Sequence, residues 1–431
     1  MSSLGVLEIL LLFVGLFPLV TGARWIAGGL LFALLDTHRE LTDREWPPVA
    51  VLIPAHNESA VIADCVRAAL ALDYPRLAVR VLDDGSTDDT VAAARSAAGG
   101  DPRLVVVEDA VNLGKASRLN IGITAAPSEL VVITDADTNL HPEAIKRLVT
   151  RIEHSPLIAA VAGAPHVTNR RHLLAALQAL EAASIIGLIR RTHAVSGRVA
   201  IVAGVLGIFR RSAVAAVGGF DERMATEDID LTWRLIRAGW DTEYEPRALV
   251  GMKVPTTPRA LWAQRCRWAR GQGEVLRKHA RGLWRWRNRP LWPVAAEAAA
   301  SYAWVRAGLV ALLCFVAIAL AGAPDAALTA ALAWGIAVAL VGTLQLCVAV
   351  ALELRFDPGV AMTLLLGPLY PAAYWGLNAC AALRATTPAL LRPLPLERAV
   401  WDLPRERQPN PPALDAEAQG TFGQKGHERG R

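Results

Sequence analysis

Leu130-Val131-Val132-Ile133-Thr134-Asp135-Ala136-Asp137 decides the fold. An uncharged run rich in β-branched residues reads as a buried strand, and it stops abruptly at two carboxylates. Residues two apart in an extended chain point to the same side, so Asp135 and Asp137 can face one hard cation. The pattern recurs upstream. Val49–Ile53 leads into His56-Asn57-Glu58, Val79–Asp83 ends in Asp83-Asp84-Gly85-Ser86, and Leu104–Val107 is a further short run. Ser59–Leu72, Asp88–Ala98 and Lys115–Ala125 lie between them with helical character. Strands alternating with helices predict an α/β, doubly wound sheet. Such sheets bind ligands at the carboxyl ends of their strands, where these polar clusters sit.

Outward from this core the chain turns apolar. It has 431 residues, 53% hydrophobic and only 20% charged, with a mean hydropathy of +0.31. This excludes a disordered chain and predicts a membrane protein with a large soluble part. The five cysteines are scattered without a CxxC pair, which excludes a disulfide scaffold and a cysteine metal site. Leu4–Leu35 is too long for one straight span and too short for two, so it predicts a span followed by an interfacial or tilted extension. The start Met1-Ser2-Ser3 lacks the basic segment of a signal peptide. Ala303–Ala321, Ala327–Leu352 and Ala361–Leu383 are the downstream candidates, the last broken by Gly367-Pro368 and Pro371. One span before the soluble part and three after it would place the arginine-rich tail outside, against the positive-inside rule. Either the last segment does not cross or the first run crosses twice. The expected division is residues 1–46 (membrane), 47–258 (catalytic), 259–300 (basic, interfacial), 301–384 (membrane) and 385–431 (polar, disordered tail).

Net charge is +5, and it is unevenly placed. Arg259 to Arg289 holds ten Lys/Arg and one acid, Glu274, leaving the rest of the chain at −4. A basic stretch beside an apolar segment points to a membrane surface rather than nucleic acid.

Three further motifs complete the candidate chemistry. Asp83–Asp88 serves as a turn with capping residues, or presents a carboxylate to a nucleobase or ribose. Thr226-Glu227-Asp228 precedes the amphipathic run Ile229–Ala238. Thr226 can cap that helix, or a carboxylate at its rigid start can act as a general base toward a sugar hydroxyl. In Gln264-Arg265-Cys266-Arg267-Trp268, helical spacing puts Gln264, Arg267 and Trp268 on one face. An arginine beside a flat indole suits a place where a diphosphate and a sugar ring meet. Trp284, Trp286 and Arg287 read instead as a membrane-interface belt.

In this order, Asp84, Asp135-x-Asp137, Thr226-Glu227-Asp228 and Gln264-x-x-Arg267-Trp268 resemble the signature of the processive family-2 glycosyltransferases. These are the membrane synthases of cellulose, hyaluronan and poly-N-acetylglucosamine. The resemblance runs from about Pro47 to Lys278, and it is similar in detail to the bacterial poly-β-1,6-N-acetylglucosamine synthases. Asn112–Ala116, Ser184–Thr192, Phe209–Ala213 and Tyr244–Ala248 carry that likeness. It implies a GT-A-type doubly wound mixed sheet flanked by transmembrane helices, in the inner membrane with the catalytic part cytoplasmic. It implies inverting transfer from a UDP-sugar to a polysaccharide, with Mg²⁺ or Mn²⁺ as cofactor. Asp228 would be the base. Asp84, Lys115, Asp135, Asp137, Gln264 and Arg267 would bind the donor, with Asp135 and Asp137 on the metal. Trp268 and Gly204 would face the acceptor. Val202-Ala203-Gly204-Val205 lacks the aromatic-Cys-Gly start of the cellulose synthases, which disfavours cellulose. A small membrane partner subunit is typical of the subgroup, and no nucleic acid is expected. The alternatives are a transferase that glycosylates a lipid once, and a non-catalytic subunit that binds a nucleotide-sugar.

Overall fold

The computed structural model describes residues 3–36, 41, 44–202, 204–320, 325–395 and 397–399. Of the tail expected over residues 385–431, residues 396 and 400–431 lie outside these residues. Eight strands form one sheet: β1 Val49–Ala55, β2 Leu77–Asp83, β3 Leu104–Val107, β4 Leu130–Thr134, β5 Thr138–Leu140, β6 Ile158–Val167, β7 Leu206–Arg210 and β8 Asp241–Met252. Their order is β3-β2-β1-β4-β7-β6-β8-β5. The first four are parallel. β7 runs against both β4 and β6, β8 lies parallel to β6, and β5 runs against β8. The sheet is therefore mixed and doubly wound, as expected.

Every residue of β1 and of β4 is buried, because helices cover both faces. Ile62–Leu70, Thr90–Ala98 and Ala144–Ile152 pack on one face. Lys115–Thr124 and Glu227–Ala238 pack on the other. The chain runs outward from β1 through β2 to β3, then returns to place β4 on the far side of β1. This reversal opens the crevice at the carboxyl ends of β1 and β4, where the acidic loops lie.

Among the described residues, four helical stretches are long and apolar enough to cross a membrane: Glu8–Leu35, Leu173–Ala194, Trp286–Ile318 and Leu332–Glu353. Leu173–Ala194 is two-thirds buried within the protein. It also buries Glu181, Arg190 and Arg191, so it packs as an internal helix rather than facing lipid. The N-terminal run is one continuous helix, Ser3–Leu35, despite Pro18. At 1.5 Å per residue it is about 50 Å long, well beyond an apolar core of about 30 Å. The excess is absorbed at its end, where Phe32 packs with Tyr244 in the core of the soluble domain.

The three remaining spans alternate in direction. The Val14 carbonyl accepts a hydrogen bond from Trp304 (2.8 Å), and Arg24 pairs with Glu297, so the second span runs against the first. Glycines spaced by seven bring the third span alongside the first. A Cβ at Gly15 would lie 2.3 Å from Trp334, one at Gly22 2.8 Å from Val341, and one at Gly29 3.4 Å from Leu352. Small residues at this spacing permit close helix contact. The third span thus returns to the sheet side, where Glu353 pairs with the buried Arg191 at 2.5 Å.

The segment expected to cross as Ala361–Leu383 is not one straight helix. It breaks into a 3₁₀ turn Pro358–Leu366, a π turn Tyr370–Trp375 and a helix Gly376–Leu391. The helix lies along the Pro258–Leu283 helix, with Thr386 donating to Ala269 O (3.2 Å) and Arg277 to Leu390 O (2.6 Å). The last segment therefore packs against the helix that joins the catalytic domain rather than standing as a straight span. Two expected boundaries also fall inside helices. Residues 300 and 301 lie in Trp292–Leu320, and 384 and 385 lie in Gly376–Leu391.

Candidate active site

Asp84 follows β2 and is fully buried. Its Oδ1 accepts from Leu113 N (2.8 Å) and Arg118 Nε (2.7 Å), and its Oδ2 from Gly114 N (2.8 Å). The carboxylate therefore holds the Asn112–Lys115 turn, rather than standing open as a turn cap would. Its neighbour Asp83 accepts from Ser86 N with Oδ2 (3.1 Å), while Oδ1 is buried without a partner. At the end of β1, His56 Nδ1–H donates to Asp84 O (2.8 Å). Its Nε2 accepts from Asn57 and Asn112, each at 3.2 Å. These contacts fix the imidazole tautomer and tie the three loops together.

The turn held by Asp84 delivers Lys115. Its ammonium lies 2.5 Å from Asp135 Oδ1 and 3.8 Å from Glu227 Oε1. Burial opposes its charge, but Asp135 and Glu227 outweigh burial and hold the lysine above its usual range. Asp137 sits two residues beyond Asp135, half-buried. Burial pushes the nearby Cys65 thiol up to about 12, and the charges of Asp137 and Asp135 add to the shift.

Gly204 explains its own identity. A Cβ there would stand 2.8 Å from Lys115 Nζ and 3.8 Å from Asp135 Oδ1. Its N–H points at Asp228 Oδ2 over 3.4 Å. Expected beside the acceptor, Gly204 lies between the Lys115–Asp135 pair and Asp228.

Thr226 occupies the cap position of the Glu227–Ala238 helix but makes no capping hydrogen bond. Its hydroxyl is buried without a partner. It packs against Gly271, where a Cβ would come within 2.4 Å of its methyl. Glu274, one turn further along the same helix, accepts from Ala225 N at 3.1 Å. The single acid of the basic stretch therefore anchors the Thr226-Glu227-Asp228 turn. Sequence reading counted Glu274 only as a charge. Its spacing of ten from Gln264, nearly three helical turns, was the available signal.

Gln264, Arg267, Trp268, Gly271 and Glu274 follow one face of the Pro258–Leu283 helix. Gln264 Oε1 and Arg267 Nε are buried without protein partners. Burial raises the Glu227 carboxyl above its usual range, opposed by Lys115 and Arg267. These cations thus converge on Glu227. The arginine over Trp268 is Arg265, not Arg267, with its guanidinium 4.3 Å from the ring centroid. Arg265 is itself fixed by Glu181 through two bonds of 3.0 and 2.7 Å. Trp268 keeps 38% of its surface exposed.

Behind the turn, Asp230 is fully buried and accepts from Arg234 (2.8 Å), Lys278 (2.7 Å) and His279 Nε2 (2.9 Å). Arg237 donates to His279 Nδ1 (2.9 Å), so the imidazole is neutral with its proton on Nε2. Burial lowers its pKa, which agrees.

No group of three or more His, Cys, Asp or Glu that could hold a metal occurs among the described residues. Asp135 and Asp137 offer only hard oxygen, and Asp135 Oδ1 is shared with Lys115. Such a pair fits a cation that keeps water and takes its remaining ligands from a substrate, as Mg²⁺ and Mn²⁺ do.

A mixed doubly wound sheet with acidic loops at its switch point and a cationic helix behind them defines a nucleotide-sugar transferase of the GT-A type. The chain belongs to the glycosyltransferase-like family 2, whose profile matches residues 47–271. It is 30% identical over 392 residues to a poly-beta-1,6-N-acetyl-D-glucosamine synthase of Staphylococcus epidermidis, covering 87% of this chain and 93% of that one. It is 31% identical over 386 residues to the Staphylococcus aureus protein of the same name, with the same coverage. Among solved structures it is similar to a mannosyltransferase from Pyrobaculum calidifontis in complex with GDP-mannose and Mn²⁺. That match has a TM-score of 0.59 and 26% identity, covering 80% of this chain and 99% of that one. The chain is thus a membrane glycosyltransferase.

Proposed function

We propose that the chain transfers N-acetylglucosamine from its UDP-sugar to the growing end of a β-linked polysaccharide. The catalytic domain faces the cytoplasm of the inner membrane, and the polymer is exported past the spans. The observation that carries this reading is the pair of buried, unpartnered atoms Gln264 Oε1 and Arg267 Nε on the helix behind Asp228. Arg267 Nε–H can donate to a diphosphate oxygen and Gln264 Oε1 can accept from a donor hydroxyl, so a bound nucleotide-sugar would satisfy both. The staphylococcal relatives support the choice of sugar and polymer.

In this reading Asp228 takes the proton of the acceptor hydroxyl. The oxygen attacks the anomeric carbon, a C–O bond forms, and the bond to the diphosphate breaks with its electron pair leaving on UDP. One displacement inverts an α-linked donor to a β-linked product. Lys115, Gln264 and Arg267 meet the charge that develops on the leaving group. Asp84 acts on the nucleotide through the turn it holds, and Trp268 offers its exposed surface to an acceptor ring. Asp135 and Asp137 would hold Mg²⁺ or Mn²⁺, which would neutralise diphosphate charge when bound. The Mn²⁺ in the Pyrobaculum structure supports that assignment. A small membrane subunit is the proposed partner.

A second reading has its own observation. The Pyrobaculum mannosyltransferase carries GDP-mannose, which supports mannose as the competing sugar; joined to a membrane lipid as acceptor, one such transfer is the competing activity. A non-catalytic role is disfavoured because a sensor has no use for Asp228 beside the donor lysine. Reconstituted full-length protein should be given labelled UDP-N-acetylglucosamine, UDP-glucose and GDP-mannose in turn, and its products sized. Long chains from UDP-N-acetylglucosamine alone support the proposal. A single-sugar lipid product, or use of GDP-mannose only, replaces it with the second reading.

A further inference from the structure

The Pro258–Leu283 helix ends in Arg281-Gly282-Leu283-Trp284-Arg285-Trp286-Arg287-Asn288-Arg289, which enters the second span directly. Two features here are unused by the chemistry above. Trp284 and Trp286 are exposed to 88% and 70%, which is unfavourable in water and favoured at a bilayer interface. From Val275 to Ala296 the chain has no acidic residue. Among the described residues Arg285 and Arg287 have no ion-pair partner.

A third arginine joins them from a different element. Arg237 closes the Glu227–Ala238 helix, which packs on the 286–291 turn. Its guanidinium lies over Gly282, 2.7 Å from where a Cβ would be. Burial, and then the like charges of Arg287 and Arg285, hold Arg237 below its usual range. Arg237 thus reaches the segment that carries Arg285 and Arg287, and the carboxylate that acts on it, Asp230, lies behind it through His279. Arginines gathered this way, two of them without an ion-pair partner, match a phosphate.

We infer that Arg237, Arg285 and Arg287 form a binding site for the phosphate of an anionic phospholipid. The site lies where the second span begins, beside indoles that enter the bilayer surface. A lipid source is favoured over a free anion by those exposed tryptophans and by continuity with the span. The lipid would also reach the catalytic turn. Arg237 donates to His279, His279 donates to Asp230, and Asp230 lies two residues from Asp228 on one helix. A headgroup that fixes Arg237 therefore steadies the start of that helix.

The test of the site is independent of the proposed function, although the coupling to turnover rests on it. Full-length protein is reconstituted in nanodiscs of mixed phosphatidylcholine and phosphatidylglycerol, and retained lipids are counted by native mass spectrometry. Wild type should retain phosphatidylglycerol selectively. Arg285→Gln with Arg287→Gln, both exposed, should lose roughly fivefold of this preference per arginine, about 25-fold for the pair. Equal retention by the double variant overturns the site. So does displacement of the retained lipid by inorganic phosphate at matched phosphate concentration, which would mean a free-anion site. Turnover is then compared between neutral and anionic nanodiscs. Stimulation by phosphatidylglycerol in wild type and not in the double variant supports the coupling. An equal response in both overturns it. If no UDP-sugar is turned over in any lipid, the functional proposal fails while lipid retention still decides the site.

Discussion

Gly204→Ala separates a site residue from a folding residue with one methyl group. The added carbon would stand 2.8 Å from Lys115 Nζ, where ordinary contact begins at 3.4 Å, so the ammonium must yield by about 0.6 Å. The atom that must move is the tip of a flexible side chain, and the three nearest atoms all belong to side chains. The fold should therefore lose less than about 1 kcal/mol. The donor site should suffer more. Stretching the 2.5 Å Lys115–Asp135 pair by that amount weakens it by about 1.3 kcal/mol at an effective dielectric of about 20, or roughly ninefold. Misplacement of a charge at the leaving group adds to this. Transfer should drop roughly tenfold, mostly in KM for the donor, with a thermal midpoint near wild type. Steady-state kinetics and a melting curve on the same preparation read both quantities. Unchanged donor kinetics would refute the placement of Gly204 against the donor pair. A collapse in stability would show that the glycine serves the fold.

Asp228→Asn should cut transfer about 10²-fold or more while UDP binding persists; a well-folded variant with wild-type turnover removes Asp228 as the base. Chelation should abolish transfer, Mg²⁺ or Mn²⁺ should restore it, and Zn²⁺ should not; full activity in excess chelator ends the assignment to Asp135 and Asp137. Trp268→Ala should reduce product length more than UDP affinity, whereas Arg267→Ala should damage donor use, as product sizing and UDP titration will distinguish. His279 bears on pH. Its folded pKa lies below the usual value near 6.5, so the unfolded chain takes up a proton first as pH falls. Stability linked to His279 is thus complete above about pH 6.5 and is lost as pH drops toward the folded pKa. His279→Gln keeps a neutral donor and acceptor, and should lose less stability than wild type between about pH 6.5 and pH 5 in denaturant titrations.

What the sequence disclosed follows the range of the forces involved. β1 and β4 were legible because a parallel strand buried on both faces writes an unbroken apolar run, and Val131–Thr134 is such a run. β2 and β3 are only partly buried and were legible by their β-branched residues. Gln264, Arg267 and Trp268 were placed on one face by helical geometry alone. β6, β7 and β8 were not read because their pairing is long-range. β8 also carries Glu243, Glu245 and Arg247, and these two glutamates depend on the distant Arg151 as well as on the local Arg247–Glu245 pair. Thr226 misled in an instructive way. A threonine before Glu-Asp is a good cap on local grounds, yet packing against Gly271 decided its conformation. Arg265, three residues before Trp268, was within reach of it by helical spacing, but what fixes its guanidinium over the ring is Glu181, distant in sequence.

The Pro258–Leu283 helix has a consequence for how transfer and membrane are joined. Its first half carries Gln264, Arg267 and Trp268, its middle carries Gly271 and Glu274 against the Thr226-Glu227-Asp228 turn, and its end runs into the interfacial arginines. The Gly376–Leu391 helix lies along it, close enough that a Cβ at Gly273 would meet Ala389 at 2.9 Å. A rod held on both sides cannot shift at one end without shifting at the other. On the proposed function, the donor contacts and the membrane surface would therefore be fixed in one frame. A hydroxyl activated at Asp228 would remain at a set height above the bilayer from one addition to the next. Repeated addition to a chain that leaves through the membrane requires that constancy, whereas a single transfer to a diffusing lipid does not.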